Sequence, residues 1–368
     1  MEPLAKRIIQ ANTLLAPYAV PHGTELGREH SDKEDETRFP FQRDRDRIIH
    51  TQAFRRLKEK TQVFIAGKGD HYRTRLTHTM EVAQISRDMA RTLGLNEDLA
   101  ECIALAHDLG HTPFGHAGED AMREEMERHG MTFEHNVQSL RIVTLLEERT
   151  TKYAGLNLNR EVLEGLMKHR TAYDAAHGEL PRSPSLEAQI VNLADEIAYT
   201  AHDVDDGLRA GLLTHEDLLT IPLYDEAFTR TRGGGTEVRG TLIHLLVTDA
   251  YAETDQRIMN QGIKTLEDVY KALDDLVAFS DAMAAKLSQL RTFLHERFYR
   301  SKEVREHSEE GMRIIRTLFH SYEEHPPEKV LSLQKKTGGS LPDAIKDYIA
   351  GMTDQYASLT ATSISGRK

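Results

Sequence analysis

The chain reads as an all-α protein, a helical core followed by a C-terminal helical extension, on three observations. Apolar residues recur at helical spacing through most of its length, period-two runs of the kind strands need are few, and no internal repeat divides it. Between His78 and Leu93 the inward positions are His78, Val82, Ile85, Met89 and Leu93, at steps that trace one face of a helix. Asn96 caps the next helix, which carries Leu99, Ile103 and Ala106 on one face before Gly110 and Pro113 stop it. A third helix is predicted from about His116 to His129. A fourth begins near His135 with Val137, Leu140, Val143 and Leu146 inside, and a fifth spans Leu186 to Leu208. Tyr224 to Gly240, around Gly233-Gly234-Gly235, reads as a loop or small hairpin. Helices resume near Thr241 and run to Ser321, and a last one, Asp343 to Tyr356, precedes a Ser/Thr-rich tail. The expected organisation is a partly flexible arm over 1–38, a core over 39–221, a helical extension over 222–357 and a flexible tail over 358–368.

Composition narrows the function classes. At 368 residues, 39% hydrophobic and 29% charged, the chain can bury a large core. A formal net charge of -12 argues against a broad basic surface for duplex nucleic acid, so a polyanionic ligand has to be met by a local cluster. The single cysteine, Cys102, rules out a disulfide within the chain and reads as a buried, inert thiol. No basic leader followed by an apolar run opens the sequence, and no stretch approaches the roughly 18 to 20 apolar residues of a membrane span. The expectation is a soluble cytoplasmic protein without membrane contact. The triglycine lacks the strand, lysine and helix of a P-loop and reads as a turn. The basic runs Arg55, Arg56, Lys58, Lys60 and Lys152, Lys168, His169, Arg170 read first as solvated faces, with contact to triphosphate or an effector nucleotide as the alternative.

The densest chemistry lies in His107-Asp108-Leu109-Gly110-His111-Thr112-Pro113-Phe114-Gly115-His116, three imidazoles and a carboxylate between two helices. Imidazole and carboxylate are the usual ligands of a catalytic divalent metal where no thiolate is offered. The competing reading is a set of histidines capping a helix end. His107 falls four residues after Ile103, on the inner face, as His78 does on the preceding helix. On the fifth helix Asp195, Tyr199 and Asp203 follow at steps of four, a single stripe roughly 12 Å long. A carboxylate at the border of an apolar helix needs a cation or donors, which favours a site for Asp195; for Asp203 alone a solvated position is the equal alternative.

His78, His107-Asp108 and Asp195 thus occur in the order H, HD, D, which resembles the HD superfamily of metal-dependent phosphohydrolases. Further matches narrow the resemblance: Arg56-Leu57, Gln62, Arg75, Gly118-Glu119, Phe133-Glu134-His135-Asn136, Ala194 to Tyr199, His202-Asp203 and Asp347 to Asp354. Together they are similar to the deoxynucleoside triphosphate triphosphohydrolases, the bacterial dGTPase-like family, from about Arg38 to Ala357.

The resemblance implies an HD-domain core and an enzyme that cuts a dNTP between the 5′ oxygen and the α-phosphorus, controlling dNTP pools. It implies that His78, His107, Asp108 and Asp195 hold one divalent ion, manganese or magnesium ahead of iron, cobalt or nickel. It places His116 near the departing oxygen as general acid, with Glu119 and His135 as a relay, and leaves direct attack by His116 as an alternative. Arg75 would hold phosphate oxygens, and His111 would donate to phosphate or bind a second metal. Gln62, Tyr199 and Asp203 would line the sugar, with Tyr199 excluding a ribose 2′ hydroxyl by volume. Family members form homo-oligomers, tetramers or hexamers, and several respond to dNTP effectors. The competing readings are another HD phosphohydrolase, such as a 5′-nucleotidase or a cyclic-nucleotide or alarmone hydrolase, and a nucleotide-sensing or weakly single-strand-binding module without turnover.

Overall fold

In the computed structural model, residues 2–33, 35–61, 73–167, 183–231 and 237–366 are described. They form helices and turns, with isolated bridges in place of strands. The helices are α1 (Leu4–Asn12), α2 (Pro40–Ile49), α3 (Gln52–Arg56), α4 (Arg75–Thr92), α5 (Glu97–Ala106), α6 (Gly115–Glu127), α7 (His135–Arg141), α8 (Arg160–Leu166) and α9 (Leu186–Arg209). They continue with α10 (His215–Leu218), α11 (Pro222–Arg230), α12 (Glu237–Asn260), α13 (Leu266–Lys271), α14 (Asp281–Leu294), α15 (Lys302–Glu324), α16 (Glu328–Thr337), α17 (Leu341–Ala350) and α18 (Asp354–Ser365). The chain is all-α, as its periodicity predicts.

Two compact units interleave along the sequence, so the consecutive division expected above is not the one the packing follows. The first comprises Met1–Arg45, Met80–Ala104 and Asn159–Ser301; the second comprises Asp46–Thr79, Leu105–Leu158 and Lys302–Lys368.

In the first unit α9 packs on α8, α12 and α14. Its N-terminus is capped by Ser185, whose hydroxyl accepts from the Ala188 N–H. Two residues on, the fully buried Glu187 reaches out of the helix, and one carboxylate oxygen accepts from the Val20 and Asn96 main-chain N–H groups at 3.0 and 3.1 Å. Asn96 in turn caps α5 by accepting from Leu99, as its sequence position predicts, and donates to the Val20 carbonyl. Residues 1–38 are therefore not a free arm: they contain α1, and Val20 is fully buried. Cys102 is buried, donating to the Phe41 carbonyl, and burial pushes its thiol well above the ordinary range.

The second unit is built on α15, which packs against α6, α17 and α18, while α16 packs on α17. Phe114, Met122, Met126, Ile315, Leu318, Phe319, Ile345 and Ile349 form its apolar centre. Two glycines fix how closely its segments approach. A Cβ on Gly110 would stand 2.2 Å from the His135 carbonyl oxygen, and one on Gly118 would stand 1.9 Å from that of Pro113.

Four local readings are corrected. The region read as a loop or hairpin from Tyr224 carries α11, with Pro222 at its first turn, and the start of α12; the triglycine lies outside the described residues. The helix expected from Asp343 to Tyr356 is two helices, broken at Gly351 to Thr353, where the Thr353 hydroxyl caps α18. That second helix runs through most of the expected tail to Ser365, with Ala361 buried. Val137, expected inside, is 55% exposed, because α7 turns Gln138 and Ser139 inward. Gln138 donates to Asp347 at 3.0 Å, and Ser139 donates to the His107 carbonyl while accepting from Gly110 N–H, so polar pairing outweighs apolar periodicity there.

The buried acid at α9 has a measurable consequence. Burial pushes Glu187 from 4.5 up to about 7, opposed by the N–H groups it accepts from. The folded state then holds its proton where the unfolded chain has lost it. This stability is fully present below pH 4.5 and falls away as pH rises to about 7, a loss on the order of 3 kcal/mol. Glu187→Gln keeps the accepting oxygen and should flatten that slope in urea unfolding curves taken across the range. An unchanged slope would show that another group sets it.

Candidate functional site

In the second unit the turn after α5 brings His107 and Asp108 against the first residues of α4. His78, His107 and Asp108 are 1%, 1% and 3% exposed. The His107 Nε2 lies 3.3 Å from one Asp108 oxygen, and the His78 Nε2 lies 3.9 Å from the other. The two imidazoles meet edge to face, centroids 5.7 Å apart, with ring nitrogens within 4.8 Å of each other. Arg75, also buried, donates from Nη1 to Asp108 at 2.9 Å. Its Nε has no hydrogen-bond partner among the described residues. Burial alone would raise the Asp108 carboxyl, but His107, His111 and Arg75 outweigh it and hold the group well below the usual carboxylate range.

His111 follows one turn later, its Nε2 3.1 Å from Asp108. Burial, then Arg75 and His135, push its pKa well below that of an ordinary histidine, so it is neutral. With Nε2–H assigned to Asp108, Nδ1 is an acceptor. Its ring stacks on His135, centroids 3.9 Å apart and 15° from parallel. Asp108, His111 and His135 offer ligand atoms within 4.8 Å of one another. Imidazole lone pairs lie in the ring plane, however, and two stacked planes cannot both be aimed at one ion. This cluster therefore suits hydrogen bonding better than a second metal.

Glu119, on the inner side of α6, binds His135 twice: its carboxylate accepts from the main-chain N–H at 3.0 Å and from ring Nδ1 at 3.0 to 3.1 Å. Burial raises the Glu119 carboxyl, but these bonds outweigh it and the net is a lowered value. His116, in the first turn of α6, meets the His111 ring edge to face, centroids 5.8 Å apart. Its Nδ1 is 4.0 Å from Glu119 and its side chain is 60% accessible. Desolvation by the crowded surroundings, then Arg75, lowers its pKa, an effect that this accessibility keeps modest. The structure thus pairs Glu119 with His135 and leaves His116 beside the pair.

In the first unit the α9 stripe is half-buried at Asp195 and Tyr199 and buried at Asp203. Beside Asp195, Glu196 pairs with Arg291 at 2.7 Å. Tyr199 and Asp203 share a partner that local spacing could not disclose. Tyr299, in a π-turn after α14, donates its hydroxyl to the Asp203 carboxylate and lies 2.5 Å from the Tyr199 hydroxyl. The two rings are 11° from parallel with centroids 6.4 Å apart. Burial, Asp203 and Tyr199 together push the Tyr299 hydroxyl far above the ordinary tyrosine value, so it stays a donor. Gln62 lies outside the described residues, as do Lys168, His169 and Arg170.

The geometry can be set beside known proteins. The HD domain family matches residues 75–200, the span from Arg75 through Tyr199, and the phosphohydrolase-associated domain family matches residues 277–362. A deoxyguanosinetriphosphate triphosphohydrolase-like protein from Azoarcus sp. (strain BH72) is 48% identical over 93% of this chain and 94% of its own. The chain belongs to the deoxyguanosinetriphosphate triphosphohydrolase-like family. Relatives of the same name from Brucella ovis and Caulobacter vibrioides are 48% and 45% identical, again over 93% of this chain. As a family member with an HD domain, it is a hydrolase. HD domains work with metal, and the buried imidazoles and carboxylate are a donor set of the right type. No helix among the described residues is long and apolar enough to cross a membrane.

The Arg75 to Asp108 pair is a buried charge pair, and removing the guanidinium would leave the carboxylate with imidazoles alone, those of His78, His107 and His111. In chelator-treated protein, Arg75→Met should lower unfolding stability by about 3 to 5 kcal/mol, read from denaturant midpoints. A loss below about 1 kcal/mol, the range of a surface pair, would mean the two side chains are solvated in the free protein.

Proposed function

We propose that this hydrolase converts deoxynucleoside triphosphates to deoxynucleoside and inorganic triphosphate, draining the dNTP pool. The observation that carries the reading is the buried meeting of His78, His107 and Arg75 at the Asp108 carboxylate. Its donor set is that of an oxygen-seeking divalent ion, manganese or magnesium, and Asp195 joins it as fourth ligand on the strength of the H, HD, D order. Such an ion, when bound, supplies Lewis acidity toward the α-phosphoryl oxygen and makes water a better nucleophile.

The chain's own residues account for the remaining requirements. Arg75 has a buried Nε–H without a partner among the described residues, suited to a phosphate oxygen. His111, neutral and braced on His135, offers phosphate the Nε2–H that it directs to Asp108. In the step proposed, a water oxygen bonds to the α-phosphorus as the bond to the 5′ oxygen breaks. The departing oxygen is a poor leaving group unless protonated, and His116, as general acid, gives it a proton. The Glu119–His135 pair, beside His116, returns that proton to the imidazole and is replenished by the proton that the attacking water sheds. Tyr199, Asp203 and the added Tyr299 present hydroxyls and a carboxylate for the sugar 3′ hydroxyl, with the Tyr199 ring against C2′ to exclude a 2′ hydroxyl. Gln62 belongs to the same sugar contact by resemblance. The relatives' name points to guanine as the first base to try.

Chromatography of the products after incubation with each dNTP and rNTP, alone and mixed, in manganese or magnesium, should show deoxynucleoside and triphosphate. Monophosphate or diphosphate as product would overturn the reading. His107→Ala and Asp108→Ala should lose metal and turnover together. His116→Ala should keep its metal and lose about 10²- to 10⁴-fold in kcat. Tyr199→Ala should raise turnover of GTP relative to dGTP.

A further inference from the structure

Lys60 is 2% exposed, yet its ammonium rests on two main-chain carbonyls: it donates to His111 at 2.5 Å and to Ala350, the last residue of α17, at 2.7 Å. Burying an ammonium against neutral acceptors is costly, and burial lowers its pKa to about 7, opposed chiefly by Asp354. Asp354 is itself buried at the start of α18. One of its oxygens accepts from the Thr61 N–H at 3.0 Å and the Thr61 hydroxyl at 2.5 Å, and the other accepts from the Phe114 N–H at 3.1 Å. Phe114 sits at φ 64°, a left-handed conformation an aromatic residue rarely adopts. Its side chain is seated on Gly311, where an added Cβ would come within 2.6 Å of the Phe114 Cβ. The Lys60 carbonyl accepts from the Arg75 N–H at 3.0 Å. All these residues belong to the second unit.

The segment from His111 to His116 is thus gripped from outside at two main-chain atoms, the His111 oxygen and the Phe114 nitrogen, by adjacent charged groups. We propose that Lys60 and Asp354 form a clamp that positions His111 and His116 for phosphoryl chemistry. The proposal rests on the reading of the site given above, in which both histidines face the substrate. Neither clamp residue touches substrate in it; they are positioning residues. Ordinary cohesion of the fold would not need an ammonium on the catalytic turn, because the apolar centre of this unit already joins α6 to α15 and α17.

A cavity of about 950 Å³ has Lys60 in its wall, together with Arg56, Leu109, Gly351 and Tyr356 among others. Lys60→Ala would join the space it vacates to this cavity and so admit a small amine, which gives the test. With the full-length protein in manganese, Lys60→Ala should lose about 100-fold in kcat on the dNTP that the wild type prefers, with KM and bound manganese unchanged. Amide hydrogen exchange should accelerate over residues 111–116. Ethylammonium should restore part of both kcat and protection, whereas sodium chloride at the same ionic strength should restore neither. Unchanged kcat, unchanged exchange, or a loss that ethylammonium does not relieve would each overturn the clamp. If Lys60→Ala does not fold, Asp354→Asn decides by the same two readouts: faster exchange at 111–116 with lower kcat supports the clamp, and wild-type values overturn it. If the wild type makes no triphosphate, the reading of the reaction fails, while the exchange and amine responses still decide whether the clamp exists.

Discussion

A carboxylate cut off from water has to be matched by its neighbours, and in this protein that carboxylate is Asp108. At 3% exposure it meets Arg75, His78, His107 and His111 within 2.9 to 3.9 Å. Each partner places a demand on the chain. Arg75 and His78 must stand in the first turns of α4. His111 must come back within three residues of Asp108, which requires α5 to end and the chain to turn at once. The turn must pass so close to α7 that only glycine is tolerated at position 110, and α6 must begin so close behind that only glycine is tolerated at 118. Ser139 bridges the His107 carbonyl and the Gly110 N–H, so the ends of the turn are satisfied from α7. The helical architecture of the second unit answers that one buried charge.

The same charge divides labour among the histidines. Burial, then Arg75 and His135, keep His111 from taking a second proton, so its imidazole is neutral. His135 is tied to Glu119 through its ring and its main chain. Of the three, His116 is the most open to solvent, its side chain 60% accessible. Three histidines within twenty-five residues thus acquire different chemistry from burial and neighbours alone. A chain of net charge -12 would repel a polyanion at long range, so in the proposed reading Arg75 would act at short range.

How far the sequence could be read follows from the range of each interaction. The face of α4 from His78 to Leu93 is buried as its spacing predicts, and α9 runs within a residue of its expected end, because apolar periodicity governs both. The Asn96 cap and the stop after Ala106 were legible for the same local reason. Val137 was not, since the inward turn of α7 is set by Gln138 meeting Asp347, 209 residues away. The end of α17 at Gly351 was hidden inside an unbroken apolar pattern. In the candidate site, the histidines and carboxylates of the HD pattern stood out by density. Lys60 looked like part of an exposed basic run, because nothing near it in sequence says that its ammonium lies under His111 and Ala350. Tyr299 carries no local signal at all, and Asp354 stood out only as the end of the Asp347 to Asp354 match, with nothing to say what it binds.

Tyr299 shows how such a residue reaches its place. It closes a π-turn, His295–Tyr299, that follows α14 without a break. A π-turn admits one extra residue into the helix, so every side chain beyond it is rotated by roughly the 100° that one residue spans. Continued as an α-helix, the segment would carry Tyr299 to a different face from the one where its hydroxyl meets Tyr199 and Asp203. The second unit uses the same device after α7, at Ile142–Leu146, where Ile142 and Val143 are buried and Leu146 is only partly so. Both π-turns adjoin candidate site residues: one follows α7, which carries His135, and the other ends on Tyr299 itself. Poorer hydrogen-bond geometry over one turn is the local cost, and the placement of side chains that a regular helix would misdirect is what offsets it.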